Sequence, residues 1–416
     1  MDPVQAQYEA FPYPARDPAE EAGRLIQGSP SHPVEIDHFL FAGRRDWSTP
    51  FRVLVAGGGT GDALVMLAQT LHDLRCPAEI TYLDLSRASR AIAEARIAAR
   101  GLSGIRFLTA DLAEAPGLGP FDYIDCCGVL HHLPEPDAGF AALAAALAPE
   151  GGMGLMVYAP HGRTGVYALQ AAFGALFGAD PPETRAELAE TALTALPETN
   201  WLKRNPFVGD HVSGGRAGLY DLLLHSRDRA YTIDALLAAL GRAGLAPAQG
   251  GRAARPLAAV LEPARYEPVA YLPDTPEIHD RVAALSPEEA AAVAEHLAGN
   301  VKSHVVYAVH AAAAAGRIAA PGPEAVPHLT GAAPRALAGE IARRGALRLT
   351  RDGLAHSLAI PKAAAPLVAL ADGRQSLGAI ARAAGRDWLA FAADWAGVDR
   401  ALTGFNLLHY SRQARR

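Results

Sequence analysis

Short apolar segments alternate with amphipathic helical segments from Phe51 to Ala159, and this alternation restricts the fold more than any other feature of the 416-residue chain. The apolar segments read FRVLVAG, EITYLDLS, IRFLTAD, FDYIDCCGVL and GMGLMVYAP. Between them, apolar residues recur at helical spacing. Strands that alternate with helices in this way form a parallel sheet covered by helices on both faces. The sequence therefore predicts an α/β fold for this region.

A glycine-rich loop follows the first of these strands. The segment RVLVA leads into Gly57, Gly59 and Gly61, and a predicted helix begins directly after them. Glycines let the backbone turn sharply and let a ligand approach the amides at the helix N-terminus. Asp62 stands where a dinucleotide-binding GxGxxG motif needs its third glycine, and its carboxylate would repel a pyrophosphate. The loop therefore favours a cofactor that carries positive charge, such as S-adenosylmethionine, over a nicotinamide dinucleotide.

Two aspartates end the second and third predicted strands. Asp84 is placed to accept hydrogen bonds from ribose hydroxyls, with helix capping next to Ser86 as the alternative. Asp111 is placed to accept one from an adenine amino group, with a solvated loop position as the alternative. Because the carboxyl ends of parallel strands meet at one edge of a sheet, both side chains are expected near the glycine loop.

The segments VLVAGGGTG, YLDLS, FLTADL, FDYIDCCGVLHHL and LAPEGGMGLMVYA resemble, in order, five motifs of the class I S-adenosylmethionine-dependent methyltransferases. The resemblance implies a Rossmann-like seven-stranded methyltransferase sheet and S-adenosylmethionine as the cofactor. The cofactor-binding residues that it implies are Gly57, Gly59, Gly61, Asp84, Leu85, Asp111, Leu112 and Gly128.

The chain departs from this family at Val55. Many members carry an acidic residue there, two positions before the first glycine, where it holds cofactor groups through water. The change removes one supporting carboxylate, and Asp62 or the N-terminal arm is expected to compensate.

The methyl acceptor and the catalytic groups are less constrained. The segment VLHHLPEP resembles the quinone and small-molecule branch of the family, and the asparagine-proline-proline-aromatic motif of amide and adenine N-methyltransferases is absent. Methyl transfer is an in-line displacement that needs a base only when the nucleophile carries a proton. The catalytic candidates are His131, His132, Tyr158 and His225, and the further polar candidates are His161, Tyr220 and Arg227. For each of them the alternative is a structural role in packing or capping.

Four regions are expected along the chain. They are an arm or cap at 1–50, a cofactor-binding methyltransferase domain at 51–262 with an insertion at about 160–230, a helical middle region at 263–320, and a small winged-helix-like domain at 327–416. Ser286 and Glu289 form a capping box, which predicts a helical hairpin around 275–318. In the tail, Asp352-Gly353 predicts the turn of a β-hairpin, and two short helices follow.

The layout has a second, looser resemblance. The arm segment YEAFPYP is similar to one in multidomain bacterial methyltransferases such as the rickettsial protein lysine methyltransferases, which implies a protein lysine as an acceptor. The tail resembles winged-helix-like peptide-binding modules. The predicted function is therefore methyl transfer to a small molecule or a protein, and the alternative is a non-catalytic, cofactor-binding regulatory or peptide-binding protein.

Charge and composition exclude several other classes. A net charge of −6 and a pI near 6.2 give no basic field for bulk nucleic acid. The apolar stretches fall short of the roughly 20 residues that span a bilayer, and the N-terminus lacks a signal-peptide pattern, so a cytoplasmic protein without a membrane partner is expected. With three cysteines and neither CxxC nor HxxxH spacing, no metal is expected. The oligomeric state stays open.

Overall fold

The computed structural model describes residues 2–251 and 254–413. Its α-helices are α1 (Pro3–Ala10), α2 (Pro33–Leu40), α3 (Asp62–Asp73), α4 (Arg87–Ala99), α5 (Pro136–Ala146), α6 (Val166–Phe177), α7 (Pro182–Ala195), α8 (Asp210–Ser213), α9 (Gly215–Leu223), α10 (Ile233–Arg242), α11 (Pro276–Ala283), α12 (Pro287–Ala298), α13 (Pro334–Arg344), α14 (Ala365–Ala369), α15 (Leu377–Ala383) and α16 (Trp388–Thr403). Its strands are β1 (Phe51–Ala56), β2 (Ala78–Asp84), β3 (Ile105–Thr109), β4 (Phe121–Cys127), β5 (Leu147–Tyr158), β6 (Leu245–Pro247), β7 (Ser303–His310), β8 (Val326–Leu329), β9 (Ala346–Arg351), β10 (Leu354–Ala359) and β11 (Leu408–Ser411).

Over the described residues, seven strands form one sheet in the order β3-β2-β1-β4-β5-β7-β6. Parallel pairing joins β1 to β2 and to β4, β2 to β3, and β4 to β5. The parallel arrangement follows from the helices that connect these strands in sequence. The predicted Rossmann-like sheet is therefore confirmed.

The helices next to the glycine loop begin and pack as the sequence indicates. On α3 the buried side chains Leu64, Leu67 and Leu71 form one apolar stripe. The helix α4 begins after Ser86, whose Oγ accepts a hydrogen bond from the Ser89 amide at 3.0 Å. These two helices therefore fix the ends of β1 and β2, where the predicted cofactor residues stand.

The chain divides into two compact units. The first comprises Met1–His32, Trp47–Leu245 and Gly299–Val305, and the second comprises Pro33–Asp46, Ala246–Ala298 and Val306–Arg416. The partition expected from the sequence, at 1–50, 51–262, 263–320 and 327–416, stays a prediction. Among the described residues, no helix is both long and apolar enough to cross a membrane.

The predicted helical hairpin around 275–318 is wrong at its C-terminal end. The capping box is present, since the Ser286 amide donates to Glu289 Oε2 at 2.8 Å and the Glu289 amide donates to Ser286 Oγ at 3.2 Å. However, the helices end at Ala298, and Ser303–His310 is the strand β7. Its segment SHVVYAVH is rich in β-branched and aromatic residues, which favour a strand.

The C-terminal part of the second unit contains the predicted β-hairpin. β9 and β10 pair antiparallel, and the turn residues Asp352 and Gly353 have φ of 43° and 79°, as a two-residue hairpin turn requires. The prediction of two short helices after the hairpin is wrong, because α14 and α15 are followed by the 16-residue helix α16. The assignment of this region as winged-helix-like stays a prediction.

Candidate functional site

The carboxyl ends of β1, β2, β4 and β5 open into a cavity of about 400 Å³ in the first unit. This is the edge at which open parallel sheets place their ligands. All eight predicted cofactor residues line it: Gly57, Gly59, Gly61, Asp84, Leu85, Asp111, Leu112 and Gly128. The structure therefore brings the predicted residues together, and their contacts with a cofactor stay a prediction.

The glycine loop has a conformation that other residues do not adopt easily. Gly57 has φ of 68°, and a Cβ atom placed there would lie 2.2 Å from Val129 Cγ2. Gly61 has φ of 98° and directly precedes α3. Glycine is therefore required at both positions by the backbone, and at Gly57 also by close packing.

Asp84 holds the loop from the end of β2. Its Oδ2 accepts a hydrogen bond from the Gly59 amide at 2.7 Å, and its Oδ1 accepts one from the Ser86 amide at 2.8 Å. Burial raises the pKa of this carboxyl, and the two amides oppose that shift. A carboxylate oxygen has two lone pairs, so Asp84 can still accept from a ribose. The Ser86 hydroxyl provides the side-chain cap of α4, so capping does not account for Asp84.

Asp111 lies at the opposite end of the predicted adenosine site. Its side chain is exposed and accepts a hydrogen bond from the Ala113 amide at 2.8 Å, at the start of the 3₁₀ turn Leu112–Gly117. The residue thus has the local capping role of a loop aspartate, and it also lines the cavity.

Asp62 does not present a free negative charge. Arg16 Nη2 lies 2.6 Å from Asp62 Oδ2, and Arg96 Nη1 lies 2.7 Å from Asp62 Oδ1. Burial would raise the pKa of the Asp62 carboxyl, but the two arginines outweigh it and hold the pKa below its usual value. Two arginines therefore neutralise the Asp62 carboxylate, and its selection of a cationic cofactor and its compensation for Val55 stay predictions.

The N-terminal segment forms part of the cavity wall. Tyr8, Tyr13 and Pro14 line the cavity. The Pro14 carbonyl accepts a hydrogen bond from Thr60 Oγ1 at 2.7 Å, and Glu9 accepts hydrogen bonds from the first amides of α4. The arm is thus attached to both the loop and the helix of the predicted cofactor site.

A second wall of the cavity is polar and includes a residue that sequence reasoning missed. Asp221, on α9, is buried and accepts hydrogen bonds from the Tyr8 hydroxyl at 2.9 Å and the Tyr158 hydroxyl at 3.3 Å. Burial raises the pKa of Asp221, and His132 and Tyr8 oppose that shift. The sequence did contain a signal for Asp221, because it is one carboxylate inside the apolar segment LYDLLL. A carboxylate buried with such a segment needs hydrogen-bonding or charged partners.

Two of the predicted histidines stack beside Asp221. His132 and His225 have ring centroids 3.7 Å apart, with 16° between the ring planes. His132 Nδ1 donates to the Arg227 carbonyl at 2.7 Å, so its Nε2 carries the lone pair. His225 Nδ1 accepts from the Arg227 amide at 3.0 Å, so its Nε2 donates to the Tyr8 oxygen at 3.2 Å. Burial lowers the pKa of both imidazoles and keeps them neutral.

The other sequence candidates differ in their access to the cavity. His132, Tyr158 and Arg227 line it, whereas the remaining candidates, His131, His225, Tyr220 and His161, are not among its lining residues. His131 packs behind the polar wall. Its ring centroid lies 4.1 Å from that of His132 and 4.2 Å from that of Tyr158. Tyr220 stacks on Phe11 in an apolar cluster. Direct contact of His131 or His225 with a substrate stays a prediction, and their positions favour support of the lining residues.

Among the described residues, two groups of side chains have the composition of a metal site. They are His132 with Asp221 and His225, and His131 with His132 and Asp228. In the first, the parallel stacking of two imidazoles prevents their in-plane lone pairs from converging on one ion. In the second, Asp228 already pairs with Arg163 at 3.2 Å, and a guanidinium opposes a neighbouring cation. We therefore describe both groups as hydrogen-bonding and packing clusters.

Comparison with known proteins assigns the central part of the chain. Residues 54–153 match the family model of the methyltransferase domain. An uncharacterized protein of Synechococcus is 32% identical over 238 residues, which are 56% of each chain. The polyketide synthase ThaQ of Burkholderia thailandensis is 28% identical over 171 residues, which are 38% of this chain and 8% of that protein. The chain thus spans about half of the length of the Synechococcus protein and a much smaller part of the polyketide synthase.

The fold of almost the whole chain has a counterpart among solved structures. PKMT2 from Rickettsia typhi, in complex with AdoHcy, superposes with a TM-score of 0.62 at 13% identity, over 92% of this chain and 76% of that one. At this identity the likeness shows a common fold. The predicted resemblance to methyltransferases is confirmed by the family model over residues 54–153, and the rickettsial protein has the same fold.

Proposed function

Because residues 54–153 are a methyltransferase domain, we propose that the chain transfers the methyl group of S-adenosylmethionine to a small-molecule or protein nucleophile. One observation carries the proposal. A single cavity of about 400 Å³ joins the eight predicted cofactor residues to the polar wall formed by His132, Tyr158 and Asp221. A cofactor and an acceptor bound in one cavity can be aligned for an in-line displacement.

The residues at the sheet edge fit the proposed cofactor. Gly57, Gly59 and Gly61 line the cavity without side chains, which allows a ligand to approach the backbone closely. Asp84 is proposed to accept the ribose hydroxyls and Asp111 the adenine amino group. S-adenosylmethionine supplies the electrophilic methyl group when it is bound.

His132 is proposed to remove the proton of the acceptor. Its Nε2 lone pair is left available by the hydrogen bond between Nδ1 and the Arg227 carbonyl. The neutral imidazole gains a positive charge when it takes the proton, and the Asp221 and Asp228 carboxylates stabilise that charge. This arrangement suits a hydroxyl or amine acceptor, which must lose a proton during transfer.

Calorimetry with S-adenosylmethionine and S-adenosylhomocysteine tests the cofactor. We expect both to bind the full chain, and we expect Asp84→Asn to weaken both. Failure of the unchanged protein to bind either ligand would refute the proposal.

The acceptor is identified by incubation of the full chain with methyl-labelled cofactor and a cell extract. Labelled macromolecules are then separated from labelled small molecules. We expect His132→Gln to lose about 10²–10⁴-fold in transfer rate while it keeps its cofactor affinity. The matched control is His72→Gln, at an exposed surface histidine, which should keep its full rate. Equal rates of the two variants would exclude His132 as the base.

A further inference from the structure

The strand register places a carboxylate beside Val55, where the chain lacks the acidic residue of many relatives. Val55 on β1 pairs with Asp125 on the neighbouring parallel strand β4. Residues in register on adjacent strands point to the same face of the sheet and stand about 4.8 Å apart. The carboxylate is therefore present on the same face, one strand away.

Asp125 lines the cavity and accepts hydrogen bonds from two neutral side chains. The residue is 2% exposed and lines the cavity with Cys127 and Gly128. The Ser31 hydroxyl donates to Asp125 Oδ2, and the Cys127 thiol donates to the same oxygen at 3.5 Å. Ser31 is itself hydrogen-bonded to the Tyr123 hydroxyl at 2.8 Å. The carboxylate is thus held in place by neutral donors.

No basic side chain in the described part of the chain forms an ion pair with Asp125. Burial without such a partner raises the pKa of this carboxyl to about 6. Removing a carboxylate from water is costly unless a cation or hydrogen bonds compensate. A cationic ligand in the cavity would provide the missing charge.

The residue that holds Asp125 has a strained backbone. Ser31 is fully buried with φ of 94°, in the left-handed region that non-glycine residues rarely adopt. Such strain persists where the surrounding structure imposes it, and it is concentrated at ligand sites. The position of Ser31 is therefore consistent with a constraint on the direction of the Asp125 carboxylate.

We propose that Asp125 binds the α-ammonium group of the amino-acid portion of S-adenosylmethionine, in place of the acidic side chain that many relatives have at position 55. Asp62, the other carboxylate at this end of the loop, is already paired with Arg16 and Arg96. The inference rests on the proposed function, because it concerns the same cofactor. It assigns a binding residue on β4 that the glycine-loop motif does not contain.

The test compares two ligands that differ in the amino-acid portion, which carries the ammonium group. S-adenosylhomocysteine carries the amino-acid portion, whereas 5′-methylthioadenosine keeps the adenosine and the thioether without it. In Asp125→Asn we expect the Kd of S-adenosylhomocysteine to rise about tenfold and the Kd of methylthioadenosine to stay the same. Unchanged methylthioadenosine binding also shows that the variant is folded. An equal change for both ligands, or no change for either, would overturn the proposal.

Two further variants complete the design. Asp122→Asn, on the same strand but outside the cavity lining, should leave both affinities unchanged. The exchange Val55→Asp with Asp125→Val returns the carboxylate to β1, and we expect it to restore most of the S-adenosylhomocysteine affinity that Asp125→Val alone loses. This comparison holds even where Asp125→Asn fails to fold, and an exchange without recovery counts against the proposal.

If the unchanged protein binds neither ligand, the proposed function itself is wrong, whereas binding that is insensitive to Asp125→Asn refutes only this inference.

Discussion

Arg96 contacts both the glycine loop and the N-terminal arm. Its replacement tests how much its buried ion pairs contribute to stability. Its side chain is fully buried on α4. Nε donates to Glu21 at 2.6 Å, and Nη1 donates to the Thr60 carbonyl at 2.8 Å and to Asp62 at 2.7 Å. One guanidinium therefore connects the N-terminal arm to the loop.

The expected cost of Arg96→Met follows from these contacts. Breaking a buried ion pair by removal of one partner costs about 3–5 kcal/mol, because the remaining charge is left uncompensated. Here both remaining carboxylates keep another arginine, since Arg100 lies 2.5 Å from Glu21 and Arg16 lies 2.6 Å from Asp62. The free energy of unfolding should therefore fall by about 3 kcal/mol, the lower end of this range.

Differential scanning calorimetry of the full chain measures this loss. A change of about 3 kcal/mol lowers the Tm of a unit of this size by about 6–12 °C. The matched control is Arg90→Met on the same helix, because Arg90 pairs with Glu94 at 2.7 Å between half-exposed side chains. Such a pair contributes only about 0.3–0.5 kcal/mol. A loss below about 1 kcal/mol in Arg96→Met, or equal losses in both variants, would refute the reasoning.

Three further predictions concern the cofactor, each measured by calorimetry with S-adenosylhomocysteine. Gly57→Ala should raise the Kd at least about tenfold, because it combines φ of 68° with a Cβ clash, whereas Gly101→Ala, with φ of 67° in open space, should not. Asp84→Ala should weaken binding by about 1–3 kcal/mol, and an unchanged Kd would leave Asp84 with only a loop-holding role. Affinity should fall as the pH drops below about 6, since an ammonium ligand requires ionised Asp125 and lowers the pKa of that carboxyl when it binds. In Asp125→Asn this dependence should disappear.

The convergence of the proposed cofactor residues on one cavity was predictable because these residues follow strands. In a parallel sheet the carboxyl ends meet at one edge, so positions such as Gly57, Asp84 and Asp111, which are distant in sequence, converge without further information. The secondary-structure prediction failed at Ser303–His310. There an alanine-rich continuation and the preceding capping box extended the predicted helical pattern across a strand. There the β-branched residues were the better guide.

Charges were harder to interpret than strands. The pairing of Asp62 was not predictable, because its partners, Arg16 and Arg96, stand 46 and 34 residues away in the chain. The carboxylate missing at Val55 was expected from Asp62 or the N-terminal arm, whereas the register of β1 and β4 places Asp125 beside Val55. A local sequence pattern gives the position of a charge but not its neutralisation, which depends on long-range packing.

The polar wall formed by His132, Tyr158 and Asp221 shows why the cofactor class was predictable and the acceptor was not. Its central group, Asp221, contacts Tyr8 and Tyr158, which lie 213 and 63 residues away, and no periodic pattern encodes such a meeting. Once assembled, however, the wall is chemically specific. Two phenol hydroxyls donate to Asp221, and the adjacent His132 is neutral with a free Nε2 lone pair, so the wall can accept one proton and stabilise the resulting charge. Acceptor screens should therefore begin with hydroxyl and amine compounds, and with peptides that carry these groups, before nucleophiles that have no proton to lose.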